Sequence, residues 1–323
     1  MADPNVGQVA AMAWEAVVGK KPQDNIFGQF KLIAELQKKA KSLDGGRVVN
    51  GPIEYGVNTT VTSYDDLETI GTNRVDVFDE FTASWKQYAG TVVMSHFERA
   101  RNQGSGKKFG LLPAKMENLR NSFLRTMNTD LFASGTGNSS KAIMGILGLI
   151  PLDPTTGTVE GINRATFTFW RSKQTSGAKT TTAFDNLKAS MRSIYNQVSV
   201  GYSQKHPDFA VTNRASFEGY ESLSVTLERL QRESKMDYLD SGFDNEKIRF
   251  KGLGLCYDDA QTAGYMHIFN TEHFYLVYPK GYWMKGLPSV EPSNQTAEVF
   301  RVMCIAQLVT DNSRHGGVIT GIT

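Results

Sequence analysis

A change in the spacing of apolar residues constrains this chain more than any other feature. Before the change, apolar or β-branched residues recur at every second position, at Ile53, Tyr55, Val57, Thr59, Val61, Val75 and Val77. Alternation is typical of β-strands, and the polar stretch 63–73 between the two runs predicts a long hairpin over residues 47–94. Strands of this length are unusual, so we expect the hairpin to project and to need a partner along its exposed edge.

After the change, the helical spacing predicts one long helix over residues 111–134. Its apolar stripe consists of Leu112, Met116, Leu119, Phe123, Met127 and Leu131. Pro113 suits the first helical turn, and Gly135 is placed to end the helix. At about 1.5 Å per residue such a helix spans roughly 36 Å, which is long for a globular protein.

Shorter elements surround this pair. Residues 1–44 contain two helical pieces with a break between them, and these form either an arm that docks elsewhere or an ordinary helix pair. Further helices are predicted over 182–199 and 216–230. Strands are predicted over 209–212, 248–257, 265–269, 274–278 and 299–309. Because strands and helices do not alternate as in βαβ units, the order predicts the α+β class.

Composition excludes several classes of protein. The 323 residues include 35 Lys+Arg and 33 Asp+Glu, and the net charge of +2 gives no global field for coating nucleic acid. A hydrophobic fraction of 40% is too high for a disordered chain. No stretch approaches the roughly 18 consecutive apolar residues of a membrane helix, and the N-terminal residues do not resemble a signal peptide. We therefore expect no membrane association.

The motifs that carry chemistry are incomplete. The glycine–lysine pair at 106–107 lacks the other residues of a phosphate loop, and the glycines of 135–137 follow a helix rather than a strand. His267 and His273 are six residues apart, which fits no recognised zinc spacing, and the two cysteines fit small buried hydrophobes. We predict no catalytic residues, no metal site, no cofactor and no enzymatic activity. A hydrolase stays open as an alternative, because a catalytic triad can be distant in sequence.

Charge is distributed unevenly along the chain. A basic region before the long helix consists of Arg99, Arg101, Lys107 and Lys108. The tip of the predicted hairpin is acidic at Asp65, Asp66 and Glu68, and the candidate contact residues of the tip also include Arg74. We expect the hairpin tip to contact the basic region of a neighbouring copy, where charge sets register more than affinity. Two solvated surfaces are the alternative interpretation.

Several short sequence segments are as distinctive as the order of the elements. They occupy residues 50–54, 75–80, 131–138, 144–150, 170–179 and 312–315. The order of the elements and these segments together resemble the major capsid proteins of tailed bacteriophages, which have the Hong Kong 97-like shell fold. The resemblance implies an N-terminal arm (1–46), an extended hairpin loop (47–94), a peripheral domain (95–160) whose spine helix is 111–134, an axial domain (161–290) and a strand that returns to the peripheral domain (291–323).

The resemblance implies a structural protein of the virion. Copies would assemble as pentamers and hexamers into an icosahedral head shell that encloses packaged double-stranded DNA, with a portal at one vertex. Assembly would take place in the host bacterial cytoplasm. The arm begins almost at Met1, so we expect a separate scaffolding protein rather than a cleaved scaffolding segment. An encapsulin-like compartment shell has the same fold and stays open as an alternative.

Two further expectations follow from particular residues. Some members of the family join subunits through a lysine in the extended loop, but residues 48–85 contain no lysine, so we expect no cross-link of that type. Tight duplex binding requires many phosphate contacts, which a net charge of +2 cannot supply. We therefore expect weak, non-specific DNA contact. The candidate DNA-facing residues, besides the basic region, are Lys38, Lys39 and Lys41.

Overall fold

The computed structural model describes residues 30–102, 110–176, 184–200, 205–221 and 249–322. Its main helices are α1 (Lys31–Lys38), α2 (His96–Arg101), α3 (Leu111–Phe132), α4 (Ile146–Leu149) and α5 (Phe184–Val198), and residues 214–221 are also helical. Single helical turns occur at Gly137–Ser140, Thr168–Trp170 and Ser313–His315. The first strands are β1 (Lys41–Leu43), β2 (Val49–Glu54), β3 (Phe78–Ala83), β4 (Lys86–Ser95), β5 (Thr158–Val159), β6 (Ile162–Asn163), β7 (Lys173–Ser176) and β8 (Phe209–Thr212). The others are β9 (Arg249–Phe250), β10 (Leu253–Tyr257), β11 (Tyr265–Phe269), β12 (Phe274–Pro279), β13 (Lys285–Val290), β14 (Ala297–Thr310) and β15 (Gly316–Thr320). The predicted α+β class is confirmed.

A five-stranded sheet is organised around β14, which is long enough to pair with three strands. β4 runs antiparallel along one edge of β14, while β13 and then β12 pair along the other edge. β1 adds a parallel strand outside β12. Helix α3 packs closely on β4 at Gly90, where a Cβ atom would lie 2.6 Å from the Phe123 ring and 2.7 Å from Leu119. Glycine at this position therefore sets the spacing of helix and sheet.

Helix α1 and strand β1 belong to the same core as this sheet. Leu32, Ile33 and Leu36 are buried, and α1 contacts both α3 and β12. The helical spacing near the end of the predicted arm is therefore confirmed, but residues 31–43 dock on their own subunit. The earlier helical piece lies outside the described residues.

A six-stranded sheet has the strand order β7-β15-β11-β8-β10-β9 and is covered by α5. Met191, Ile194 and Val198 of α5 are buried in the second core that this contact forms. The predicted strand 248–257 is wrong in one respect, because it is divided into β9 and β10. Lys251 and Gly252 both have positive φ, +51° and +87°, so the chain turns back and the two strands pair antiparallel.

The predicted hairpin is present but shorter than expected. β2 pairs with β3 from Val49 opposite Ala83 to Glu54 opposite Phe78, and residues 55–77 connect them without regular strand pairing. The predicted extension to residue 94 is wrong, because residues 86–95 form β4 and pair with β14. The indole Nε1 of Trp85 donates to the carbonyl of Gly46 at 2.9 Å, just where the chain passes from the hairpin into the larger sheet.

Candidate functional site

The connection between β2 and β3, residues 55–77, is called the hairpin loop here. Its exposed apolar side chains are Val57, Val61, Tyr64, Leu67 and Ile70. Leu67 is 97% exposed and Val57 is 84% exposed, so these side chains have almost no contact within the subunit. Groups of exposed apolar residues on one segment mark sites of interaction with other molecules.

The base of the hairpin, in contrast, is firmly attached. Val49, Ile53, Phe81 and Ala83 are buried in the main core. The ring of Tyr55 stacks on Phe169 with the ring centroids 5.4 Å apart. An anchored base with an uncovered loop is suited to reach a second molecule without loss of the subunit's own core.

The three acidic residues predicted at the hairpin tip lie together in one turn. The backbone N–H of Asp65 donates to the carboxylate of Glu68 at 3.1 Å, and the N–H of Glu68 donates to the carbonyl of Asp65 at 3.0 Å. The side chain of Asp65 also accepts the N–H of Asp66 at 2.9 Å. Arg74 pairs instead with Asp76 at 3.2 Å. The turn therefore presents three carboxylates, while Arg74 lies with a different acid.

The basic region is only partly described. Arg99 forms an ion pair of 2.9 Å with Glu298, and the guanidinium of Arg101 lies 5.3 Å from the ring centroid of Phe97. Lys107 and Lys108 lie outside the described residues. The ion pair with Glu298 already compensates the charge of Arg99 within the subunit. Contact between the basic region and the acidic tip of a neighbouring copy stays a prediction.

Two surfaces near the basic region were not found by sequence reasoning. A groove beside the first turn of α3 is lined by Met94, Leu111, Leu112, Pro113 and Phe300, with Arg99 and Glu298 at its polar side. On the five-stranded sheet, Val93 is opposite Val299, which is opposite Val290, so three valines form a row across β4, β14 and β13. Val93 and Val290 are exposed. The alternating apolar residues of β4 could have indicated the valine row, but this alternation was assigned to the hairpin.

The three lysines proposed to face DNA each have a partner within the chain. Lys38 pairs with Glu35 at 2.6 Å, and Lys39 pairs with Asp208 at 2.8 Å. The Nζ atom of Lys41 lies 3.4 Å from the ring centroid of Tyr275. These contacts reduce the uncompensated charge of the segment, and its orientation toward DNA stays a prediction.

Burial shifts the pKa values of two ionisable side chains in the core. Burial raises the pKa of the Cys256 thiol to about 12, and burial lowers the pKa of His267 to about 4, so both are neutral near pH 7. Within the described ranges, no three His, Cys, Asp or Glu side chains are arranged to hold a metal ion. Among the helices that the structure describes, none has the length and apolar character needed to cross a membrane.

One buried carboxyl group lies beside the hairpin base. Burial raises the pKa of Glu160 to about 8, although the hydrogen bond from the backbone N–H of Thr310 and the charge of Arg164 act in the opposite direction. The guanidinium of Arg164 is also fully buried and donates to the carbonyls of Leu149 and Trp170 and to the hydroxyl of Ser313. Neither residue was predicted, since isolated charged residues carry no periodic signal.

Comparison with known proteins gives a consistent result at the level of structure. No protein-family model and no curated protein sequence matches the chain. A chain of the cyanophage A-1(L) capsid is similar in structure, with a TM-score of 0.69 and 15% identity over 96% of this chain and 98% of the other. The capsid of a native GTA particle has a TM-score of 0.58 and 12% identity over 95% and 96%.

An encapsulin is also similar. The SrpI encapsulin of Synechococcus elongatus has a TM-score of 0.59 and 12% identity over 97% of this chain and 95% of the other. The likeness therefore extends over nearly the whole of each chain. The chain has the Hong Kong 97-like fold of phage capsid and encapsulin shells.

Proposed function

We propose that this protein is a major capsid protein, which self-assembles into the icosahedral head shell around packaged double-stranded DNA of a tailed phage. The proposal rests on one observation: the apolar side chains of the hairpin loop are exposed, while the base of the hairpin is anchored in the core. An edge and an apolar surface left uncovered in one subunit are covered by the next subunit in a closed assembly.

The partner surface for the hairpin loop belongs to a second copy in this proposal. The apolar residues of the loop would lie on the valine row or the groove beside α3, both of which carry apolar side chains at the surface. The carboxylates of Asp65, Asp66 and Glu68 would lie toward the basic region, where charge fixes register. Contacts of this kind bury apolar area and leave charge at the rim, as protein interfaces commonly do.

The remaining parts of the proposal concern partners and place. Pentamers and hexamers of the chain form the shell, a portal occupies one vertex, and a separate scaffolding protein assists assembly in the host bacterial cytoplasm. Contact with packaged DNA is weak and non-specific, in keeping with the net charge of +2. The protein acts as a structural component and not as an enzyme.

A compartment shell of the encapsulin type is the second candidate, favoured by the structural likeness to SrpI encapsulin. The contents of native particles distinguish the two candidates. Particles from the source organism should contain nuclease-protected double-stranded DNA if the protein is a phage capsid protein. A particle that contains an enzyme and no DNA would contradict the capsid proposal and favour the compartment.

A denaturing gel of the same particles tests the expectation about covalent linkage. Because residues 48–85 contain no lysine, intact particles should dissolve into monomers. A persistent ladder of linked oligomers would contradict that expectation.

A further inference from the structure

The turn between β5 and β6 has an unusual residue in a demanding conformation. Glu160 and Gly161 occupy the two central positions and have φ values of +51° and +85°. Two-residue hairpins of this kind favour Asn-Gly or Asp-Gly, because both positions require positive φ. A glutamate in the left-handed region costs on the order of 1–2 kcal/mol. Residues in such strained conformations cluster at sites where the surrounding structure holds them for a function.

The contacts of Glu160 join two separate parts of the molecule. Its backbone carbonyl accepts the N–H of Thr82 in the hairpin strand β3 at 2.9 Å. Its side chain is 6% exposed, and Oε1 accepts the N–H of Thr310 at the end of β14, also at 2.9 Å. One residue therefore connects the base of the hairpin to the strand around which the five-stranded sheet is organised.

Gly161 brings the turn close to the hairpin. A Cβ atom at this position would lie 2.9 Å from the hydroxyl oxygen of Thr82, so any side chain would press against β3. The comparable turn at Lys251–Gly252 has φ values of +51° and +87°, and a Cβ atom at Gly252 would meet no atom within 4 Å. These two described turns thus have similar φ values, but a Cβ atom would press against the hairpin at Gly161 and not at Gly252.

The segment 158–171, called the bracket here, is itself fastened to the rest of the subunit. Arg164 donates from Nη2 to the Ser313 hydroxyl at 3.2 Å and to the carbonyl of Leu149, which ties the bracket to α4 and to the turn before β15. Phe169 at the other end of the bracket stacks on Tyr55, the first residue of the hairpin loop. The hairpin base is therefore held on two sides by one segment that is anchored in the body.

We propose that Glu160 is a positioning residue, which fixes the direction in which the hairpin leaves the body and is needed for shell assembly rather than for folding of the subunit. This inference rests on the proposed function, because the hairpin loop is taken to contact a neighbouring copy. The loop lies beyond the bracket, so a change in the bracket alters where its exposed apolar residues meet that copy. The strained backbone and the buried carboxyl of Glu160 are costs to the isolated subunit that a purely stabilising residue would not carry.

The test uses variants in matched pairs. Glu160→Gly removes the side chain and the backbone strain, and Lys251→Gly makes the same backbone change in the turn between β9 and β10. Gly161→Ala adds a methyl group against Thr82, and Gly252→Ala adds one at the same turn position with open space around it. Glu160→Gln retains an acceptor oxygen for the Thr310 N–H and serves as the conservative variant.

We expect Glu160→Gly and Gly161→Ala to raise the critical concentration for assembly roughly tenfold, the change that about 1.4 kcal/mol of lost contact energy produces. Glu160→Gln, Lys251→Gly and Gly252→Ala should assemble as the wild type does. Normal assembly of both Glu160→Gly and Gly161→Ala, in a preparation where the wild type forms shells, would overturn the inference and leave the proposed function intact.

A second measurement does not depend on assembly. Hydrogen exchange of the β2 and β3 amides in the isolated subunit should be faster in Glu160→Gly and Gly161→Ala than in their matched controls. Unchanged exchange in these strands would overturn the inference even if the wild type never assembled. Failure of the wild type to assemble would contradict only the proposed function.

Discussion

The hydroxyl of Tyr88 donates a hydrogen bond to the carboxylate of Asp130 at 2.7 Å and accepts one from the backbone N–H of Ile143 at 2.9 Å. This side chain joins β4, the last turns of α3 and the segment that follows α3. Burial, together with the hydrogen bond and the charge of Asp130, raises the pKa of Tyr88 far above its ordinary value. The hydroxyl therefore stays protonated at neutral pH and can donate to Asp130.

Replacement of Tyr88 by Phe should lower the free energy of unfolding by about 1–3 kcal/mol, because it leaves the Asp130 carboxylate and the Ile143 N–H without this partner. Urea unfolding followed by circular dichroism measures the change. Tyr64→Phe is the control, since Tyr64 lies in the hairpin loop and is 62% exposed. Equal stabilities for the two variants would contradict the role assigned to Tyr88.

Gly145 follows α3 and lies against the end of that helix. A Cβ atom there would come within 3 Å of the carbonyl oxygens of Asp130, Leu131 and Ala133. Gly145→Ala should therefore lower the free energy of unfolding by about 3 kcal/mol or more, since backbone atoms rather than flexible side chains must move. Gly137→Ala is the control, because the nearest atom to its Cβ is that of Ala142 at 3.5 Å. A drop no larger for Gly145→Ala than for Gly137→Ala would refute this reading.

Glu160 should give the stability of the subunit a specific pH dependence. Burial raises its pKa from 4.5 to about 8 in the folded state, where Arg164 acts to lower the value and Asp311 to raise it. The folded state therefore binds more protons than the unfolded state between these values. The contribution of Glu160 is fully present below pH 4.5 and is lost as the pH rises through about 8.

We expect the wild type to lose stability relative to Glu160→Gln as the pH is raised from 5.5 to 8.5, since the glutamine at position 160 does not titrate. Chemical unfolding of both proteins at each pH measures the difference, and titration of the histidines is common to both. Parallel pH profiles for the two proteins would show that the carboxyl does not titrate in this range.

The acidic turn of the hairpin loop provides a test of the subunit contact. Replacement of Asp65, Asp66 and Glu68 by lysine should impair assembly, because like charges would then face the basic region of a neighbour. The far-UV circular dichroism spectrum should not change, since all three side chains are exposed. Asp44→Lys is the control for added positive charge, because Asp44 is 95% exposed and lies outside the loop. Normal particles from the triple variant would identify the turn as merely solvated.

The parts of the fold that were predicted correctly are those whose pattern is local. The helix predicted over 111–134 is observed at Leu111–Phe132, because an apolar residue faces the core in each of several successive turns. The strand predicted over 265–269 is observed at Tyr265–Phe269. In the helix the buried face repeats with the helical period, while the strand is a short run that is buried on both faces. In both cases a sequence window contains the whole signal.

The errors arose where pairing is not local. The alternation of residues 86–95 was assigned to the hairpin, but it reflects pairing with β14, which lies about two hundred residues further along the chain. Lys251-Gly252 was overlooked as a turn because lysine is not a usual residue at positive φ. At the candidate site, the acidic tip residues were identified, but the exposure of Leu67 and the bracket contact of Glu160 depend on tertiary structure that no periodicity reveals.

Electron microscopy of the purified chain over a range of concentrations, alone and with a candidate scaffolding protein, tests the central claim most directly. A capsid protein with an anchored hairpin and an uncovered apolar loop should form capsomers, tubes or closed shells. A protein that stays strictly monomeric under every one of these conditions would contradict the account.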